Sequence, residues 1–455
     1  MHKIITLLLG FTLMTAILNT VLADDRVLNI NEYTSATGLT YWHVEDHSLP
    51  ILALHFAFKG SGSVNDPVDK TGLAQLVSNT MDEGAGKRDA NQFQEDLQNN
   101  AIDLSFNSSR DFFTGKLKTI KRHQDLAFEM VYDAIHTPRF DDEAISRMRQ
   151  ANIMRIKSSQ SKPNWLASRL MNDVYFGDHP YTRNAGGTIS GLNAITSMDM
   201  QGFVRDNFNK NRLVIATAGD MTAEEAGVII DKIFADLPDG EKTNDLNLVA
   251  PPEKSMKIAF ETDSPQSVVQ MIWPAISKDD PDYHAYSIMN YILGGGGFSS
   301  MLMDEVREKQ GLTYGIYSQP VHMQYADYIT IESATSPENI LPMTASVQGV
   351  LKQLTTETIS KTVLKDAKSY LIGSLPLRFS STLSLSGTAI RMQLDGRPLN
   401  ALDMFADKVS AVSVEDVQRV AQRIFKSLEP TVTVITGAVP EDQNFELVDS
   451  VVGIE

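Results

Sequence analysis

The sequence contains no cysteine. That excludes disulfides, thiol nucleophiles and every cysteine-based zinc site. Stability must come from core burial, which a chain of 455 residues can supply. Positive charge is in deficit: Lys+Arg 40 against Asp+Glu 57 leaves a net charge of -17. Phosphate backbones need the opposite excess, which argues against a nucleic-acid partner. Beyond the N-terminus no apolar run reaches the ~20 residues of a membrane span. The G-x-S-x-G elbow of serine hydrolases is missing. The stretch "LGGGGFSS" (293–300) lacks the Lys-Ser/Thr that a phosphate-binding loop places after its glycines. It reads as a close-packing turn between two helices.

What is present begins with "MHKIITLLLGFTLMTAILNTVLA". Lys3 gives a basic start, an apolar run extends from Ile4 to Leu18, and Val21 and Ala23 are small. This predicts a signal peptide over 1–23, cleaved before Asp24, and an exported, periplasmic chain with no membrane anchor afterwards. Strand-like runs then lie at 51–58, 102–109, 212–219, 267–273, 328–334 and 431–437. Helix-like runs lie at 70–83, 90–99, 141–160, 222–236, 282–293, 338–354, 360–373 and 413–426. Helices between antiparallel-looking strands predict an α+β fold.

The pattern repeats. Segment 196–220 matches 413–438, with Thr196 aligned to Ser413, Asp199 to Asp416, Gln201 to Gln418 and Phe208 to Phe425. Each opens with S/T-x-x-D, a helix cap, and runs into a β-branched strand ending in Gly. The offset of about 217 residues is half the mature length. A polar, Pro/Gly-rich stretch at 241–255 reads as the linker. Two similar domains are expected, 27–240 and 256–455.

One helix has an odd polar face. In "GLAQLVSNTMDEG" (72–84), Leu73, Leu76, Val77, Thr80 and Met81 form an apolar stripe. Gln75, Ser78 and Asn79 lie opposite, at the i, i+3, i+4 spacing of a metal-binding helix, but none suits a catalytic metal. Their plain reading is a solvated polar face. "HVEDH" (43–47) would put His43, Glu45 and His47 on one face of a strand. The following Ser48-Leu49-Pro50 bends it into a surface hairpin instead. His55 reads as a packed or surface histidine in mid-strand, and His179 as a structural loop residue.

The segments "EDHSLPILALHFAFKGSGS", "TGLAQLVSNTMDEG", "FGDHPYTRNAGGT", "LGGGGFSSMLMDEVREKQGLTYGIYS" and "GSLPLRFSSTLSLSG" carry a family resemblance. Together they make the chain similar to the pitrilysin-type zinc peptidases, the inverzincins. These include insulin-degrading enzyme, the mitochondrial processing peptidase and bacterial periplasmic relatives. The resemblance implies a repeated α+β domain, two of which form a half-shell of a clamshell around peptides. Active members carry H-x-x-E-H, two zinc ligands and a general base, with a third ligand about 76 residues on. Here those positions fall on Gln75, Ser78 and Asn79, with the third near Arg155. A guanidinium stays protonated and cannot ligate a cation. The resemblance also implies that Arg307 and Tyr314 contact the substrate carbonyl and help stabilise its oxyanion.

The expectation is therefore a chain with no metal and no catalytic residues of its own. It would be the non-catalytic subunit of a heterodimeric zinc endopeptidase, binding peptide and completing the site of a homologous H-x-x-E-H partner that holds the zinc. The alternatives are a peptide-binding or scaffolding homodimer, and a complete peptidase with atypical ligands.

Overall fold

A computed structural model describes residues 26–243, 246–439 and 445–451. The expected signal peptide at 1–23 lies outside them. Among the described residues, no helix is long and apolar enough to cross a membrane.

The fold is α+β, built on two six-stranded sheets. The first contains β1 (Asn31–Thr34), β2 (Thr40–Glu45), β3 (Ile51–Lys59), β4 (Asp103–Ser108), β5 (Phe112–Ile120) and β6 (Leu213–Gly219), in the order β1-β2-β6-β3-β5-β4. Its helices are α1 (Leu73–Thr80), α2 (Ala90–Asn99), α3 (Gln124–His136), α4 (Asp142–Ser159), α5 (Pro163–Phe176), α6 (Ile189–Ala194), α7 (Ser197–Asn207) and α8 (Ala223–Phe234). The second sheet contains β7 (Met256–Glu261), β8 (Ser267–Pro274), β9 (Ile316–His322), β10 (Asp327–Thr335), β11 (Val432–Gly437) and β12 (Glu446–Leu447), in the order β12-β7-β11-β8-β10-β9. Its helices are α9 (Tyr283–Asn290), α10 (Ile340–Thr356), α11 (Lys361–Gly373), α12 (Thr382–Leu394), α13 (Asp403–Ala411) and α14 (Val414–Ile424).

The repeat is visible atom by atom. Thr196 and Asp199 form a reciprocal capping box on α7, and Ser413 and Asp416 form the same box on α14. The strands that follow, β6 and β11, occupy equivalent places: each pairs parallel with one neighbour (β2, β7) and antiparallel with another (β3, β8). Both end in a glycine at positive φ, +120° at Gly219 and +123° at Gly437. A Cβ there would meet the carbonyl of Ile51 at 2.1 Å or of Gln266 at 2.7 Å, so only glycine fits.

On one face, each sheet packs against helices from its own part of the chain. Leu52, Leu54, Phe56 and Phe58 of β3 point into the first core, where Phe58 stacks on Phe208 at 4.3 Å. On the opposite face the helices are exchanged. Helix α5 packs on β8 and β11 of the second sheet, burying Leu166, Leu170, Met171, Tyr175 and Phe176. Helix α12 packs on β2, β3 and β6 of the first, burying Leu385, Ala389, Ile390 and Met392 against Trp42, Val44, Ala57 and Ala216. The Thr436 hydroxyl donates to the Pro163 carbonyl at 2.8 Å, and the Gln393 amide donates to the Ile215 carbonyl at 2.9 Å. A division of the chain at 241–255 therefore does not divide the packing.

His55 sits in this exchanged contact. Its Nδ1 lies 2.9 Å from the Ser386 hydroxyl. Burial, aided by the Lys116 charge, depresses its pKa to about 4. In the unfolded chain the imidazole protonates near 6.5, so between these values the unfolded state binds more protons and acid favours it. The contribution is complete above pH 6.5 and lost as pH falls through 4. Each tenfold weakening of proton affinity is worth about 1.4 kcal/mol, so the whole contribution is roughly 3 kcal/mol at most. Urea unfolding at pH 7 and pH 4.5 checks this: His55→Asn is expected to lose less stability on acidification than wild type. An equal loss would show that His55 is not the group responsible.

The segment at 43–47 departs from expectation. The chain bends at 48–50 as expected, but β2 runs on as strand to Glu45 beside β6 and forms no hairpin with β3, because β6 lies between them. His43 is buried, with Nδ1 2.8 Å from the Thr217 hydroxyl and Nε2 3.0 Å from the Met221 carbonyl. His47 lies outside, between Asp220 (2.6 Å) and Glu45 (2.7 Å). Each histidine serves its own local contact, and the three residues form no shared site.

Candidate functional site

Helix α1 begins at Gly72, at φ +104°. The buried Asp66 carboxylate accepts from the Gly72 amide (2.8 Å) and the Ala74 amide (3.0 Å), satisfying the free first turn from outside the helix. The apolar stripe packs as its spacing predicts: Leu73, Leu76, Val77 and Met81 are buried.

The opposite face is only partly solvated, which corrects its plain reading. Ser78 is 1% exposed, and Gln75 and Asn79 are half-buried. Their groups bond to one another. The Gln75 amide donates to the Asn79 side-chain oxygen at 2.8 Å, and the Ser78 hydroxyl donates to the Gln75 carbonyl at 2.9 Å. The Asn79 amide then donates to the Asn152 side-chain oxygen on α4 at 2.8 Å. Three neutral amides and a hydroxyl bridge the two helices. Helix α4 turns Asn152 into this network, while Arg155 lies on its exposed side with its guanidinium near Gly186. Sequence reasoning missed Asn152. Its signal was a single polar residue on a face otherwise made of Ile145, Ile153 and Ile156.

This donor set does not fit zinc. Amide and hydroxyl oxygens offer no thiolate, imidazole or carboxylate, and those of Asn79 and Asn152 already accept neutral bonds. Among the described residues, no group of three or more His, Cys, Asp or Glu side chains could hold a metal ion.

Arg307 and Tyr314 belong to the second half. Arg307 lies in a π-helical turn, Met303–Lys309, a conformation enriched at functional sites. Its guanidinium stands 4.8 Å over the Phe298 ring and pairs with Glu308. Phe298 is itself 71% exposed at the end of the glycine run, an aromatic partner that the sequence did not reveal. The run packs closely, as expected: a Cβ on Gly294 would lie 2.5 Å from the Ser318 amide. Tyr314 is held outward by its neighbours. The Thr313 hydroxyl donates to the Ala334 carbonyl at 2.8 Å and the Gly315 amide donates back to Thr313 at 3.1 Å, leaving Tyr314 85% exposed. Among the described residues, no hydrogen bond or ion pair joins Arg307 or Tyr314 to the α1 network.

Comparison with known proteins places these features in a family. Residues 58–188 match the family described as Insulinase (Peptidase family M16), and residues 194–371 match the Peptidase M16 inactive domain. A Helicobacter pylori protein named non-peptidase homolog YmxG is 26% identical over 374 residues, covering 82% of this chain and 86% of the relative. The mitochondrial-processing peptidase subunit beta of Dictyostelium discoideum is 20% identical, covering 82% of each chain. Among solved structures, a peptidase M16 inactive domain from Pseudomonas fluorescens superposes with a TM-score of 0.85 at 27% identity, over 92% of this chain and all of that one.

Proposed function

We propose a function from one premise: the chain belongs to the insulinase family of peptidases, family M16. Within it, this is a non-catalytic member that serves as the second subunit of a zinc endopeptidase. Its homologous partner supplies H-x-x-E-H and the zinc, and this chain supplies Arg307 and Tyr314 to the peptide carbonyl. One observation carries the reading. The position of the metal helix is filled by a neutral hydrogen-bonded network, while Tyr314 stands exposed and Arg307, half-buried, is held only at the surface by Phe298 and Glu308.

Three further facts support it. The Helicobacter relative is named a non-peptidase, the Pseudomonas structure an inactive domain, and the Dictyostelium relative a subunit. Helix α1 packs beside β4, one of the two outer strands of the first sheet, whose outer edge is unpaired among the described residues and suits an extended peptide added as a seventh strand. The sequence at 1–23 has the pattern of a signal peptide, and on this reading the assembly works in the periplasm.

Native mass determination with metal analysis tests this reading. The expected result is a hetero-oligomer whose zinc tracks the partner, with peptide hydrolysis only in the mixture. A zinc-free homodimer that binds peptides would favour the scaffolding reading. Strong zinc binding and hydrolysis by this chain alone would falsify both. The atypical-ligand reading has its own test: Gln75→Ala with Asn79→Ala. The pair is expected to lower stability by about 1–3 kcal/mol, the cost of broken buried hydrogen bonds. Turnover per assembled complex is expected to stay within about twofold, since transition-state contacts are untouched. Abolished turnover in a folded complex would restore the atypical-ligand reading.

A further inference from the structure

The β4–β5 turn and the β9–β10 turn meet where the two halves touch. The Tyr181 hydroxyl donates to Asp111 at 2.6 Å, and the Gln324 amide donates to the same carboxylate at 3.4 Å. The Tyr325 amide donates to the Tyr181 oxygen at 3.2 Å. Beside this network lies a cleft of about 560 Å³, lined from both halves.

Its charges are unevenly matched. Each carboxylate on the lining has a protein partner. Asp111 takes the two donors above, Asp327 takes His322 at 2.6 Å, and Asp279 lies 3.8 Å from Arg397. Asp395 takes two cations, Lys278 at 2.6 Å and Arg391 at 3.1 Å. Among the described residues neither Arg110 nor Lys59 forms an ion pair; burial of Arg110 outweighs the neighbouring Asp111 carboxylate, which favours its charge only through its field. Arg110 is held instead over the rings of Phe176 (5.7 Å) and Tyr181 (5.9 Å), with its Nε buried and without an acceptor. A second buried guanidinium, Arg169, stands near with its own partner, Asp173, at 3.2 Å; burial first, and the Arg110 charge besides, lower its pKa against the pull of Asp173. A cation withdrawn from water into an aromatic nest is costly until an anion pairs with it. The guanidinium fork suits two oxygens of one planar or tetrahedral oxyanion. In a chain of net charge -17, such a place stands out.

We propose that this cleft is an oxyanion-binding site, in which Arg110 takes two oxygens of a carboxylate or phosphate and Lys59 adds a second positive charge. The group can come from the free C-terminus of a peptide or from inorganic phosphate. The site stands on its own residues and does not depend on the partner-subunit reading.

Calorimetric titration of the full chain at constant ionic strength tests it. The probes are inorganic phosphate, a short peptide with a free C-terminus and the same peptide amidated. The expected result is saturable binding of phosphate, or of the acid peptide in preference to its amide. Saturation by phosphate alone assigns the site to the free ion, and preference for the acid peptide assigns it to a chain terminus. Arg110→Gln and Lys59→Gln are each expected to weaken binding by about tenfold or more, the worth of one charge-assisted hydrogen bond. If Arg110→Gln does not fold, Lys59→Gln and Arg110→Lys decide. No saturable binding of any probe, undiminished binding in the folded variants, or equal binding of acid and amide peptides without phosphate binding would overturn the proposal.

Discussion

Replacing Tyr314 by Phe or Arg307 by Ala is expected to cut turnover of the assembled peptidase by about 10²–10³-fold each, the usual cost of one oxyanion donor. The chemistry sets the scale. Attack on a peptide carbonyl places full negative charge on its oxygen only as the tetrahedral intermediate forms. Donors waiting there stabilise the transition state more than the substrate, so kcat falls more than KM rises. Tyr314→Phe removes one hydroxyl from a ring that is 85% exposed, so folding of this chain is expected to be unchanged. Arg307→Ala also removes the cation over Phe298. Arg307→Lys separates the two roles: it keeps the charge but loses the fork, and is expected to recover only part of the rate. Steady-state kinetics on complexes of verified mass is the measurement. Normal turnover in both Tyr314→Phe and Arg307→Ala complexes would end the oxyanion role.

Much of the framework was legible because local pattern and burial agree. The runs at 51–58 and 431–437 became β3 and β11, and the stripe on α1 packed as its spacing required. The repeated cap survives because the same orphaned amides need satisfying in both copies. What escaped was long-range. Helix α5 buries Arg169 and Asn172 as well as its apolar side chains, so it shows no clean solvent face, and its sheet begins about ninety residues downstream. Periodicity says that a face is covered, not by what. β5 hid for a different reason: its buried positions, Phe113, Gly115, Leu117 and Thr119, include a glycine that looks like a breaker. The glycine is there because the Phe56 ring crosses it, and a Cβ would lie 2.1 Å from that ring. The site was half legible for the same physical reason. Side chains that cannot bind zinc can be recognised by type. That they close on Asn152 depends on how α4 crosses α1, which no residue type records.

The exchange of α5 and α12 carries the second large prediction. Expressed separately, segments 26–243 and 246–451 are each expected to fail to fold cooperatively, and expressed together to reassemble. Alone, the first segment exposes the side chains that α5 buries and leaves uncovered the sheet face that α12 protects. At about 1.5–3 kcal/mol per large apolar side chain, the five on α5 account for on the order of 10 kcal/mol. Extended-chain references make that an upper value. Even so, it rivals the whole net stability of a typical domain, about 5–15 kcal/mol. The second segment is in the same position, since α12 would hang free and β8 and β11 would lose α5. Urea unfolding followed by far-UV and near-UV circular dichroism reads the outcome. Non-coincident, broad transitions in each segment, replaced by one sharp transition on mixing, are expected. Segments that each unfold sharply at the midpoint of the intact chain would show that each half is an independent domain. The exchanged helices would then be decoration on finished cores.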